Sequence, residues 1–329
     1  MLPEKLDYYK QPGISNSQLS LFNYDMDLYY KVYISKELPQ KESDSLLLGS
    51  LVHDILAQED IKEKYEIIDI PKQISGKMGI YIESLAKYHE LNDNAFNSAF
   101  VQADYSKSTN PERIKTEFLE KEENRKFYEY LRIKTKEGIK KIVSKEDLNL
   151  ALELARIVEN NPLWEIITPE DTINNKTEIF LEKEFFWTDS QTQLNLKAKL
   201  DRIYVNHNTK HIKYFDYKTD SRNPIWKYKE TFEYWKTYRQ FAFYNLALMN
   251  WAEYNNMADY YIDLYVVPID IKNKRSEIML VGEEYLIRGE DEIRKDLVEL
   301  NWHIQNNLWQ YTKNQYDQLE LQKIIILNP

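Results

Sequence analysis

The stretch between residues 177 and 218 constrains the fold more than any other part of the chain. Segments at 177–187, 193–205 and 211–218 are rich in β-branched and aromatic residues, and apolar and polar side chains alternate along them. Such alternation over short runs is typical of half-buried β-strands. We therefore expect three consecutive strands, the last two joined by a tight turn at residues 207–210.

The regions around these strands have the pattern of helices. Residues 60–160 are highly charged, with apolar side chains at three- and four-residue spacing, and a helix over 231–255 precedes a further strand at 259–267. This order predicts an α/β fold in which helices flank a central mixed sheet. We expect one domain, 1–329, with 60–160 as a mostly helical insertion and 177–267 as the sheet core.

Composition excludes several classes of protein. The chain has no Cys, which excludes thiol nucleophiles, disulfides and Cys-ligated zinc or iron–sulfur clusters. Its seven Gly form no dinucleotide fingerprint, P-loop or nucleophile elbow. The net charge of −10 is unusual for a protein that binds nucleic acid through a broad basic surface. With no signal peptide and no run of about 18 apolar residues, we expect a soluble, cytoplasmic protein without a membrane partner.

The predicted hairpin brings carboxylates together. A turn at 207–210 sets Val205 opposite Ile212, and the same register sets Asp201 opposite Asp216. Directly opposed residues of an antiparallel pair have Cβ atoms about 5 Å apart. Lys218 lies on the same face as Asp216 because strand side chains alternate. Facing carboxylates destabilise a strand pair unless a cation lies between them.

Two carboxylates and an ammonium group suit phosphodiester chemistry. Oxygen ligands are those that Mg²⁺ prefers, and such an ion activates water and neutralises phosphate charge. Lys218 would orient that water or stabilise the developing negative charge. The same Asp-x-Lys pattern also occurs on ordinary exposed strands of charged proteins, so the hairpin alone leaves both interpretations open.

Other parts of the sequence add to this pattern. In chain order they are Ile14-Ser15-x-Ser17-x-Leu19, Gly49-x-x-x-His53 on an apolar helix, Asp201 within LKAKLDRI, Asp216-Tyr217-Lys218, and Gln240-x-x-x-Tyr244. Together they resemble the PD-(D/E)XK nuclease superfamily, whose core is that of the restriction endonucleases. The resemblance is to the RecB-like branch that includes exonuclease VIII (RecE) and phage lambda exonuclease. Either Ser15 or Ser17 is expected to be the N-cap of a helix.

The resemblance implies a role for each residue of the site. It implies His53, Asp201 and Asp216 as metal ligands, and Asp201, Asp216, Lys218, Gln240 and Tyr244 as catalytic residues, the last two lining the site and contacting DNA. The strand before the hairpin often adds a glutamate in this family. Glu182 and Glu184 share a strand face, so both remain candidates.

The resemblance also implies a function. It is that of a Mg²⁺-dependent DNA exonuclease, with Mn²⁺ as a substitute and no iron–sulfur cluster, which hydrolyses linear double-stranded DNA from 5′ to 3′. The same likeness implies a role in phage-type recombination or DNA processing, with duplex ends as substrate. It also implies a single-strand annealing recombinase as partner and a homo-oligomer. For a phage-encoded chain, the expected location is the host cytoplasm. The alternatives are a structure-specific or nicking endonuclease, and an inactive DNA-binding or assembly protein.

Two tryptophans follow the third strand, at positions 226 and 235. Exposed aromatic side chains of a nuclease can stack on bases. Because large aromatic side chains are mostly buried, we expect Trp226 and Trp235 to pack in the core.

Overall fold

The computed structural model describes residues 8–39, 47–69, 71–88, 90–106, 108–134, 140–168 and 177–320. The chain divides into two compact units, one built from residues 1–49 and 154–329 and the other from residues 50–153. The assignment of 60–160 as an insertion into a single domain stays a prediction.

The elements are as follows. The strands are β1 (Tyr65–Ile68), β2 (Lys141–Ser144), β3 (Thr177–Thr188), β4 (Asn195–Asn206), β5 (His211–Asp220), β6 (Tyr261–Asp270), β7 (Arg275–Ser276) and β8 (Met279–Leu280). The α-helices are α1 (Asn16–Tyr24), α2 (Met26–Tyr29), α3 (Leu47–Leu56), α4 (Ile61–Lys64), α5 (Gly76–Leu85), α6 (Asp93–Gln102), α7 (Pro111–Glu120), α8 (Glu122–Lys134), α9 (Lys145–Glu159), α10 (Leu163–Ile167), α11 (Tyr228–Tyr234), α12 (Thr237–Tyr254), α13 (Glu283–Asn306) and α14 (Lys313–Glu320).

The first unit contains a mixed sheet, which confirms the predicted fold class. Its strand order is β3-β4-β5-β6-β7, with β8 also paired to β6. The β3-β4-β5 pairs are antiparallel, whereas β5 and β6 are parallel. The predicted hairpin register is confirmed, since Val205 pairs with Ile212. Because β5 and β6 are parallel, the chain crosses back between them through α11 and α12.

The helix predicted over 231–255 is two helices. Lys236, between α11 and α12, has a φ of 50°, a left-handed conformation that an α-helix cannot continue through. After this break, α12 packs closely against α13. A Cβ at Gly289 would lie 2.7 Å from the Cβ of Ala242 and 2.8 Å from the carbonyl oxygen of Tyr238. Glycine is therefore what allows this close helix contact.

A segment before α1 is fixed to β4. Ser15 caps α1 as predicted, since its side chain accepts from the Gln18 backbone N–H while the Gln18 side chain accepts from the Ser15 N–H. Lys197 is only 4% exposed. Its Nζ donates to the carbonyl oxygens of Tyr8, at 3.1 Å, and Gln11, at 2.6 Å. These bonds satisfy a charge that burial would otherwise make costly.

The second unit has its own core. Strands β1 and β2 form a two-stranded parallel sheet. Helices α5 to α8 pack aromatic side chains together, including Tyr81, Phe96, Phe118 and Phe127. Across the part of the chain that the structure describes, every helix is too short or too polar to span a bilayer.

Candidate functional site

The site is built around Asp216 on β5. Tyr214, Asp216 and Lys218 share one face of this strand because side chains alternate. The Lys218 Nζ lies 2.6 Å from Oδ2 of Asp216, and the Tyr214 hydroxyl donates to Oδ1 at 2.9 Å. Asp216 is 1% exposed, whereas the Lys218 side chain is 30% exposed. Oδ1 of this buried carboxylate therefore accepts a hydrogen bond, Oδ2 lies in an ion pair, and the Lys218 side chain is partly exposed.

Asp201 lies at the same end of the hairpin. The β4–β5 ladder ends at the pair Arg202–Phe215, one residue short of the predicted opposition of Asp201 and Asp216. Beyond it, Oδ2 of Asp201 accepts a hydrogen bond from the backbone N–H of Tyr217 at 2.9 Å. A side chain thus takes the place of a ladder carbonyl and fixes the Asp201 carboxylate beside β5.

A local change in β3 presents Glu182 to Asp201. The β3–β4 ladder pairs residues on either side but omits the Glu182–Asp201 position, where Glu182 has a left-handed φ of 48°. Carboxylate oxygens of Glu182 and Asp201 lie within 4.8 Å of each other. Lys199 forms an ion pair with Glu182. Glu184, the other candidate, accepts from the Gln11 side chain at 3.4 Å.

Helix α12 contributes the predicted Gln240 and Tyr244. The Gln240 Nε2 donates to the Tyr244 hydroxyl at 2.7 Å, as expected for residues one helical turn apart. Burial and the nearby Asp216 carboxylate raise the pKa of Tyr244 well above its ordinary value. Tyr244 is therefore a neutral phenol throughout the physiological range.

Two further tyrosines, which the sequence pattern did not single out, lie near Asp216. Burial and the charge of Asp216 raise the pKa of both Tyr214 and Tyr228. The ring centroids of Tyr214 and Tyr244 are 5.4 Å apart. The signal for Tyr214 was its position two residues before Asp216, hence on the same strand face. The Tyr214 hydroxyl donates to the carboxylate, and its ring packs against that of Tyr244.

Gly49 and His53 lie on α3. The α-carbon of Gly49 approaches β5 so closely that a Cβ there would lie 3.0 Å from Oγ1 of Thr219. His53 is one helical turn further along α3 and belongs to the unit of residues 50–153. Its assignment as a metal ligand stays a prediction.

The charges of the first unit's side chains fit a divalent cation. Glu182, Asp201 and Asp216 carry three negative charges, and Lys199 and Lys218 carry two positive ones, which leaves a net charge of −1. The ligands of one Mg²⁺ ion lie at most about 4.2 Å apart, at bond lengths of about 2.1 Å. The separation of the Glu182 and Asp201 carboxylate oxygens, at most 4.8 Å, is close to that span. Carboxylate oxygens are also the correct donors for a hard ion.

The expectation that Trp226 and Trp235 are buried was wrong. Their exposed fractions are 68% and 57%. Ile225, Tyr228 and Phe232 fill the core beneath this segment instead. Since α11 and the turn before it can bury only one face, the neighbouring aromatic residues point to solvent.

The chain has a distant structural neighbour among the solved structures. A crystal structure described as "Putative exonuclease", from Eubacterium rectale, aligns with 100% of this chain and 96% of its own, at 11% identity and a TM-score of 0.49. None of the curated proteins matches the chain.

The sequence pattern of a known family covers most of the chain. The PD-(D/E)XK nuclease superfamily matches residues 15–318, a range that includes both units' described elements from α1 to the middle of α14. Nucleases of this superfamily generally use divalent metal ions, in agreement with the charges around Asp201. The chain belongs to the PD-(D/E)XK nuclease superfamily.

Proposed function

We propose that the chain is a Mg²⁺-dependent DNA exonuclease that hydrolyses linear duplex DNA from 5′ to 3′ in recombination or DNA processing. Membership of the nuclease superfamily supports hydrolysis of phosphodiester bonds. The observation that carries the proposal is the ion pair of Lys218 with the buried Asp216, beside Asp201 just beyond the last pair of the β4–β5 ladder.

Metal binding is the first part of the proposal. Glu182, Asp201 and Asp216 would hold the ion, and His53 is the fourth proposed ligand, from its place in the sequence pattern. Bound there, Mg²⁺, or Mn²⁺ in its place, would lower the pKa of water and neutralise charge on the phosphodiester. The Tyr214 hydroxyl and the Tyr217 backbone N–H orient the Asp216 and Asp201 carboxylates beforehand.

Lys218 acts on the reacting phosphate. Its side chain is partly exposed, so the ammonium group can donate to a phosphate oxygen or to the attacking water while its stem stays beside Asp216. Donors placed where negative charge develops stabilise the transition state. Gln240 and Tyr244 line the same site from α12, and the Gln240 amide is the group proposed to contact the DNA backbone.

The second part of the proposal is that the enzyme acts at the ends of linear DNA. A chain with a net charge of −10 gains little from counterion release along a duplex. This charge favours an enzyme that encloses or threads an end, for which a homo-oligomer would supply the enclosure. A single-strand annealing recombinase, as the resemblance implies, would take up the strand that remains.

The test compares linear with closed circular DNA. Purified protein is incubated with 5′-labelled linear duplex, 3′-labelled linear duplex and a covalently closed circle, each with Mg²⁺ and with EDTA. We expect early release of the 5′ label, later loss of the 3′ label, survival of the circle and no reaction in EDTA.

Three results would contradict parts of the proposal. Early release of the 3′ label reverses the polarity. Cutting of the closed circle at a comparable rate replaces the exonuclease with an endonuclease on the same site. Equal cleavage in EDTA rejects the metal centre.

A further inference from the structure

The segment from Ser221 to Lys236 joins β5 to α12, the two elements that carry Lys218 and Gln240. It is anchored by Ile225, Tyr228 and Phe232, which are each 5% exposed. The other side chains of the segment are exposed, except those of Pro224 and Thr231, which are half-buried. The segment therefore has a fixed backbone and an outward surface of its own.

That surface carries a cluster of aromatic rings and a cation. Tyr234, 77% exposed, packs edge-to-face on Trp235, 57% exposed, with ring centroids 4.9 Å apart. The Arg222 guanidinium lies over the Trp235 ring, 5.3 Å from its centroid. We call Arg222, Tyr234 and Trp235 the aromatic cluster. Trp226, 68% exposed, lies on the same segment.

The segment's charge is opposite to that of the chain. Residues 221–236 contain one Arg and three Lys against two Glu, a net charge of +2, whereas the whole chain has −10. Glu233 accepts from the Tyr285 hydroxyl, so one of the two carboxylates is held towards α13. Lys227 and Lys229 are exposed. Lys236 forms an ion pair with Glu292. The cations that remain on this surface are Arg222, Lys227 and Lys229, against the exposed Glu230, so its charge is positive.

The cluster is near the proposed reaction centre along the chain. Arg222 is four residues after Lys218. Four residues span at most about 14 Å even when fully extended. A nucleic-acid strand held at Lys218 could therefore reach Arg222 and Trp235 within a few nucleotides.

We propose that the aromatic cluster is a stacking platform for single-stranded DNA, used by the strand that enters or leaves the site. Stacked bases on aromatic rings, together with cations for the backbone, are how proteins bind single strands without sequence preference. Duplex DNA offers bases to such rings only at its ends. The identity of the nucleic acid as DNA rests on the proposed function, whereas the platform itself rests on the exposed rings and their charge.

The test measures binding without cleavage. A fluorescein-labelled oligo-dT is titrated in EDTA against wild type, Trp235→Ala and Tyr254→Ala, with circular dichroism to verify folding. Tyr254, 88% exposed at the far end of α12, is the matched control. We expect Trp235→Ala to weaken binding about tenfold or more, as loss of base stacking implies. Tyr254→Ala should bind like wild type.

A second variant tests the cation. Arg222→Ala should lower the slope of log affinity against log salt by about 0.7, the value for one phosphate of a single strand. A covalently closed circular duplex, which has no ends, is the comparison ligand. Its affinity should change much less than that of oligo-dT on Trp235→Ala.

Several outcomes would overturn the platform. They are no binding of oligo-dT by wild type, unchanged binding by Trp235→Ala, or an equal loss of duplex binding. If Trp235→Ala instead changed the sedimentation coefficient and left DNA binding intact, the surface would be a protein interface. Since all measurements are in EDTA, failure of Mg²⁺-dependent cleavage would reject the proposed function and leave this inference standing.

Discussion

The two ends of β5 carry the same kind of ion pair in opposite surroundings. Just before the strand, Lys210 pairs with Asp259, and both side chains are more than half exposed. Near its other end Lys218 pairs with Asp216, whose side chain is 2% exposed. Water competes for the first pair, so the pair adds little stability. At the buried pair, losing one partner leaves the other uncompensated. Both are Lys–Asp pairs, and burial is what distinguishes them.

The largest expected effect comes from breaking the two pairs separately. Lys218→Ala and Asp216→Asn should each reduce cleavage of linear duplex by at least about 100-fold, because they remove charge at the reacting phosphate. Lys210→Ala should retain wild-type turnover. Initial rates with Mg²⁺ are compared after folding is verified by circular dichroism. Similar losses at both ends would remove the distinction between them.

The two glutamates of β3 allow a test of which carboxylate belongs to the proposed metal site near the buried ion pair. Glu182→Gln removes a carboxylate close to Asp201. It should weaken Mg²⁺ binding about tenfold or more, because the Coulomb attraction between one carboxylate and a divalent ion is lost. Glu184→Gln should leave Mg²⁺ binding unchanged. Calorimetric titration of both variants in the absence of DNA gives the answer. A larger effect at Glu184 would move the proposed ligand to that position.

His53 gives a third test of the proposed metal centre. His53→Ala should raise the Mg²⁺ concentration for half-maximal activity, by about tenfold, and leave the melting temperature of the metal-free protein almost unchanged. Lost metal ligation moves the first quantity, whereas lost packing moves the second. A lower melting temperature with an unchanged Mg²⁺ requirement would make His53 a packing residue of α3.

The smallest effect concerns a hydroxyl group at each end. Tyr214→Phe removes the donor to the buried Asp216 and should lower the free energy of unfolding by about 1–3 kcal/mol. Tyr260→Phe removes the hydroxyl partner of His207 near the exposed end and should lower it by less. Urea denaturation at neutral pH measures both. Equal losses would mean that burial does not distinguish these ends.

The sequence predicted what depends on regular periodicity. The two-residue period of strands and a tight turn set the register of β4 and β5, and the structure confirms it at Val205 and Ile212. The same period placed Asp216 and Lys218 on one face. The metal and catalytic roles of these residues stay predictions.

Two features that the sequence did not predict arise from local irregularities of the structure. The choice between Glu182 and Glu184 depends on a left-handed residue within β3, which regular alternation does not describe. The exposure of Trp226 and Trp235 depends on which residues of this short segment lie on its buried face. Three buried residues of that segment do so, and a count of aromatic residues cannot identify them.

The bonds from Lys197 to the segment before α1 have a consequence for biosynthesis. Gln11 and Lys197 are 186 residues apart in sequence. At about 5–20 residues per second, a ribosome needs roughly 10–40 seconds to make the second partner after the first. The segment around Gln11 therefore cannot form its hydrogen bonds with Lys197 until β4 emerges from the ribosome. Asp201, four residues after Lys197, emerges at almost the same time, whereas Lys218 and Tyr244 follow Lys197 by 21 and 47 residues. Docking of this early segment can therefore precede completion of the proposed site.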